Sequence, residues 1–111
     1  STNDPTAHAE VVAIRDACHT LGDFQLTGCT VYTSCEPCPM CLGAIYWARP
    51  DRVVFAGTRE DAAAAGFDDQ FIYDELPLPY SQRRIATRML LRDEALALFD
   101  DWCAKPDKTG Y

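Results

Sequence analysis

The stretch Pro37-Cys38-Pro39-Met40-Cys41 constrains the fold more than any other part of this sequence. Proline fixes φ and has no N–H, so Pro39 suits the first position of a helix and is unfavourable deeper inside one. Cys38 is then the N-cap, and Cys41 stands in the first turn, three positions on and on the same face. A helix N-terminus favours anions, which suits thiolates that bind metal. Two thiolates do not close a tetrahedral zinc site, so further donors must come from elsewhere in the chain. His8, followed at one residue's remove by Glu10, is the candidate.

Composition sets the limits within which this site must work. A chain of 111 residues suffices for one domain with a modest core. No apolar run approaches the ~18 residues that cross a bilayer, and Ser1 to Glu10 has no hydrophobic block of the signal-peptide kind. Six cysteines could mark a secreted disulfide scaffold. Cys35, Cys38 and Cys41 lie too close together for loop bracing, however, and the expectation is a reducing cytoplasm. The net charge of −7, from 17 acidic and 10 basic residues, disfavours a partner gripped through its phosphates. Arg83, Arg84, Arg88 and Arg92 form the one basic cluster and read as a solvated edge with salt bridges. A small uncharged substrate is expected, with neither nucleic acid nor membrane as partner.

Along the chain, Val11, Ile14, Ala17, Cys18 and Leu21 form one helical stripe over residues 8–21, ended by Gly22-Asp23. Residues 29–33 are β-branched and aromatic and predict a strand running into the cysteine loop. A second helix is expected over 39–48, stopped before Pro50. The apolar run 52–56 predicts a strand covered on both faces. A short helix over 58–65 has Thr58 as N-cap and Gly66 at its end. Residues 67–73 read as a loop or brief helical turn, and Leu76-Pro77-Leu78-Pro79 as a connector. Residues 84–90 are a third strand candidate, and 93–105 a long helix burying Leu96, Phe99 and Cys103. Cys18 and Cys29 also read as buried hydrophobes. The alternation of helices and strands implies a single-domain α/β sandwich, 1–111, with a mostly parallel sheet. Three strands make a narrow sheet with exposed edges.

The residues fit the hydrolytic deamination of a heteroaromatic amidine. A zinc ion held by His8, Cys38 and Cys41 keeps one position open and lowers the pKa of water there, making it a nucleophile near neutral pH. A carboxylate beside that water must take its proton, pass it to a ring nitrogen and later protonate the departing amine, and Glu10 is placed for this. His8 and Glu10 lie about 200° apart around an ideal helix, so they converge only if both sit in its first turn and reach past its end. Two helix N-termini would then point at one metal. Cys35 could replace His8 as third ligand. A C-x-x-C pair can also be a redox couple or half of a structural zinc site. No separate second pair completes a four-cysteine site, and neither alternative has a use for Glu10.

The pairing of His8-Ala9-Glu10 with Thr33-Ser34-Cys35-Glu36-Pro37-Cys38-Pro39-Met40-Cys41 resembles the cytidine deaminase-like superfamily of zinc-dependent base deaminases. The run from Leu42 to Pro50, and the segment Ala65-Gly66-Phe67-Asp68-Asp69-Gln70-Phe71-Ile72-Tyr73, are similar to bacterial guanine deaminases in particular. The resemblance implies a three-layer α/β/α sandwich with a mixed, mostly parallel sheet, and conversion of guanine to xanthine and ammonia. It assigns one zinc ion to His8, Cys38 and Cys41 and the proton shuttle to Glu10. It also places Trp47 in the purine pocket, Asp69 (or its neighbour Asp68) on the guanine edge, and Tyr111 over the site from a C-terminal tail that reaches across a homodimer. Members of the family carry a helix and two strands ahead of H-A-E, including an asparagine that contacts substrate. This chain begins seven residues before His8, so those elements are expected to be lacking. A deaminase of transfer-RNA adenosine or of cytosine, and a zinc-stabilised module without catalysis, are the alternatives.

Overall fold

The computed structural model describes residues 3–110. They fall into two compact units, one up to Pro77 and one from Leu78 onward. The break lies in the expected Leu-Pro-Leu-Pro connector, where two prolines stop both helix and sheet ladder. No described helix is long and apolar enough to cross a membrane.

The first unit contains α1 (Ala9–Leu21), β1 (Thr30–Cys35), α2 (Pro39–Ala48), β2 (Arg52–Gly57), α3 (Arg59–Ala64) and α4 (Gln70–Glu75). Helix α1 ends where Gly22 takes a left-handed φ of 66°, a conformation glycine adopts without a Cβ penalty. Helix α2 has the predicted bounds. Its C-cap is Arg49, left-handed at φ 53°, with Pro50 directly after it to prevent continuation. Strands β1 and β2 are parallel, with Thr30 opposite Arg52 and Cys35 opposite Gly57, and α2 is the crossover between them. The ladder extends through Glu36, whose N–H donates to the Gly57 carbonyl at 2.7 Å.

Leu26, Cys41, Ile45 and Ala48 are the buried apolar residues of this unit. Three of the four belong to α2, which packs against α1 and is the helix around which the unit is built. Two sequence expectations need correction here. Val54 and Phe55 are 45% and 46% exposed, so β2 is not covered on both faces within the described residues. Cys18 and Cys29 are only half-buried; Cys41 alone is fully enclosed.

The second unit holds a 3-10 turn (Tyr80–Gln82) and α5 (Arg92–Ala104). The expected strand over 84–90 is absent: these residues form bends and irregular backbone. A strand needs a ladder partner, and this unit has no described strand to pair with. The predicted burial on α5 is also not met, since Leu96, Phe99 and Cys103 are all exposed. Within the basic cluster, Arg83 donates from Nε to the Leu78 carbonyl and lies over the Tyr80 ring, using backbone and an aromatic face. The sheet of the described chain therefore has two strands, parallel and joined by a helix, in place of the three expected.

Candidate active site

Helices α1 and α2 present their N-termini to one point. His8 is the N-cap of α1 and Cys38 the N-cap of α2. The Cys38 thiol accepts from the Cys41 N–H at 3.5 Å, so the local turn that starts α2 also sets the two sulfurs side by side. His8 Nδ1 lies 3.6 Å from Cys38 Sγ and 3.4 Å from Cys41 Sγ. The donor atoms of these three residues all lie within 4.8 Å of one another.

The spacing fits zinc. With Zn–S near 2.3 Å and Zn–N near 2.0–2.1 Å, a tetrahedral angle spans an N···S edge of about 3.5 Å. Both observed separations match that edge, and imidazole with two thiolates is a normal donor set for the metal. Three protein donors leave a fourth position for water or substrate. Cys35 lines the same cavity but does not join the group, because it still belongs to β1 and precedes the turn that aims the other two thiols.

Burial pushes the Cys41 thiol well above its ordinary range, and hydrogen bonds and charge from Glu10 and Cys38 add to the rise. Desolvation thus disfavours a Cys41 thiolate, and a bound cation would be what deprotonates a coordinating thiol there. Glu10 stands in the first turn of α1, lines the same cavity, and helps to raise the Cys41 thiol.

The site opens into a cavity of about 490 Å³ lined by His8, Glu10, Cys35, Glu36 and Cys38 on the metal side. Helix α3 and the segment after it add Arg59, Ala62, Phe67, Asp68 and Asp69 to the lining. Thr58 and Asp61 form a reciprocal capping box at the start of α3. Glu36 reinforces that helix start by accepting from the Arg59 N–H at 3.1 Å. Asp68 turns back to accept from the Gln70 N–H at 2.9 Å, whereas Asp69 is half-buried in the cavity wall.

The sequence-derived residues thus divide. His8, Cys38, Cys41 and Glu10 come together at the two helix starts, and Asp69 lines the same cavity. Trp47, on the last turn of α2, is 62% exposed and is not among the lining residues. Tyr111 lies outside the described residues. Sequence reasoning passed over Glu36 and Arg59. Thr58-x-x-Asp61 is a recognisable cap signal that places Arg59 at a helix start, but nothing local to Glu36 announces that it reaches that start.

Comparison with known proteins agrees with this arrangement. The chain is 55% identical over all 111 residues to the guanine deaminase of Bacillus subtilis, spanning 71% of that protein's length. The X-ray structure of guanine deaminase from Bacillus subtilis superposes with a TM-score of 0.93 at 56% identity, covering 98% of this chain and 69% of that one. A transfer-RNA-specific adenosine deaminase of Bacillus subtilis is 43% identical over 60 residues, which are 54% of this chain and 37% of that protein. Residues 1–57, which carry all three metal donors and Glu10, match the cytidine and deoxycytidylate deaminase zinc-binding region. With its two-stranded parallel sheet, paired helix N-termini and His-Cys-Cys donor set, the chain belongs to this zinc-binding deaminase family and has the cytidine deaminase-like fold.

Proposed function

We propose that the protein hydrolyses guanine to xanthine and ammonia. The observation that carries the reading is a three-donor zinc site with a carboxylate beside it, in a chain 55% identical along its whole length to a guanine deaminase. His8, Cys38 and Cys41 would hold a zinc ion, which when bound would make water a nucleophile near neutral pH. Glu10 is the catalytic residue. Its carboxylate accepts the proton released as the water oxygen attacks the ring carbon bearing the exocyclic amine, and delivers it to the adjacent ring nitrogen. A second proton from the added hydroxyl then passes through Glu10 to the amine, which leaves as ammonia.

Asp69 accepts hydrogen bonds from the N–H groups of the guanine edge; its place in the cavity wall supports this role. Trp47 and Tyr111 join the purine site on the family resemblance, as does the pairing of two copies in a homodimer. The substrate is the free base: a net charge of −7 suits a small neutral ring better than a polyphosphate partner. The enzyme works in the cytoplasm, where its six free thiols stay reduced.

The decisive experiment measures ammonia release from guanine by the full-length, zinc-loaded protein and by its Glu10→Gln variant. Turnover is expected to fall by about 10²–10⁴ with zinc content unchanged. An unaffected rate would remove Glu10 from the mechanism. Bound zinc with no wild-type turnover would remove guanine as the substrate.

A further inference from the structure

Helix α4 has six residues and none of them is buried. A helix this short does not hold itself together in water, and its position depends on what it is tied to. That position matters, because the segment leading into α4 carries Phe67, Asp68 and Asp69, which line the cavity together with His8 and Cys38.

One tie runs directly to the metal loop. The Tyr73 hydroxyl donates to the Pro37 carbonyl at 3.1 Å. Pro37 is buried and immediately precedes Cys38, the N-cap of α2. Its carbonyl stands outside the α2 hydrogen-bond ladder, which begins with the Cys38 carbonyl accepting from the Leu42 N–H. A buried backbone acceptor outside the ladder requires a partner, and Tyr73 provides it.

The tyrosine is itself fixed. The Arg59 guanidinium lies 4.2 Å from the centre of its ring, and the Arg59 N–H is bonded to Glu36, the residue before Pro37. Glu36 and Pro37 of the metal loop, the start of α3 and the body of α4 therefore form one closed circuit. Burial raises the Tyr73 phenol above its ordinary value; Arg59 opposes this, and the Asp69 and Glu36 carboxylates add to it. The group stays a protonated donor throughout the neutral range.

We propose that Tyr73 is a positioning residue: through Pro37 it sets the separation between the metal-binding loop and the wall bearing Asp69, and so the fit of substrate. The kinetic part of this rests on the guanine reading above. Loss of the hydroxyl loosens the wall, while the donors on α1 and α2 keep their geometry because they are fixed by helix starts that Tyr73 does not form. The signature is a change in KM without a matching change in kcat or metal retention.

The test is Tyr73→Phe in the full-length, zinc-loaded protein, a change that keeps the ring under Arg59 and removes only the donor. KM for guanine is expected to rise about tenfold, with kcat and the rate of zinc release to a chromophoric chelator both within about twofold. Amide hydrogen exchange over residues 67–75 should quicken by about the same tenfold factor while β1 and β2 keep their protection. An unchanged KM overturns the proposal. So does a fall in kcat accompanied by faster zinc release, which would place the effect on the metal loop. If the wild type does not turn over guanine, the substrate reading has failed and hydrogen exchange alone decides. Unaltered protection of 67–75 in the variant then overturns the role of Tyr73.

Discussion

Cys41 combines two properties that rarely meet in one side chain: it is fully enclosed, and it is one of the three residues positioned to hold a metal. Burial raises the energy of its thiolate, so the metal and the pocket that encloses it act on the same sulfur in opposite directions. In the cavity lining, the two neighbouring aspartates are separated by local chemistry. Asp68 accepts from the turn that starts α4, which favours Asp69 as the proposed acceptor for the substrate edge. Replacing Asp69 with Asn exchanges an anionic acceptor for an amide that also donates. With hydrogen bonds to charged groups contributing about 1.5–3 kcal/mol, kcat/KM for guanine is expected to fall roughly 10- to 100-fold with zinc content unchanged. Steady-state kinetics beside a metal assay checks this, and an unaltered kcat/KM would reassign the guanine edge to Asp68 or to another wall residue.

Among the elements, α3 matters most for the cavity and depends most on its cap, since a six-residue helix has little else to stabilise it. Removing the Thr58 side chain by Thr58→Ala should cost about 1 kcal/mol, seen as a melting point lower by about 4–8 °C. The cap also has a sign in pH. Hydrogen bonds from the Thr58 backbone N–H and then its hydroxyl hold the Asp61 carboxyl below its ordinary value. A depressed carboxylate contributes stability that is present above its unfolded value and lost as pH falls through its folded one. The melting-point gap between wild type and Thr58→Ala should therefore be constant near neutrality and narrow on acidification through the carboxylate range. A gap independent of pH would mean that the Thr58 hydroxyl does not stabilise the Asp61 carboxylate. These elements also show how far a sequence can be read. The bounds of α2 were legible because Cys38, Pro39 and Pro50 act on their own backbone. The convergence of His8 and Glu10 at a helix start followed from the angular spacing of two residues on a helix. By contrast, residues 84–90 read as a strand candidate, but a candidate stretch does not supply its own ladder partner. The stripe on α5 is real as a periodicity, yet a period says which side chains share a face and not what covers them.

For the whole molecule, the distribution of apolar surface is the outstanding fact. On α5, Leu98 and Phe99 are 70% and 65% exposed, and Ile85, Met89, Leu90 and Leu91 nearby in sequence are more than half exposed. Scattered exposed hydrophobes are ordinary, but a run of large ones in a single 34-residue unit is more than water tolerates in a stable solitary chain. The proposed homodimer would supply a cover of matching character, since a self-complementary interface between two copies presents the same apolar face twice. The full-length protein is therefore expected to sediment as a dimer. Phe99→Glu, which places a charge in the middle of the α5 face, should shift it toward monomer. Because the metal donors all lie before residue 42, in the other unit, zinc content should not change. A wild type that sediments as a monomer would show that the face is covered by other parts of the same polypeptide. A Phe99→Glu variant that remains dimeric would place the interface elsewhere.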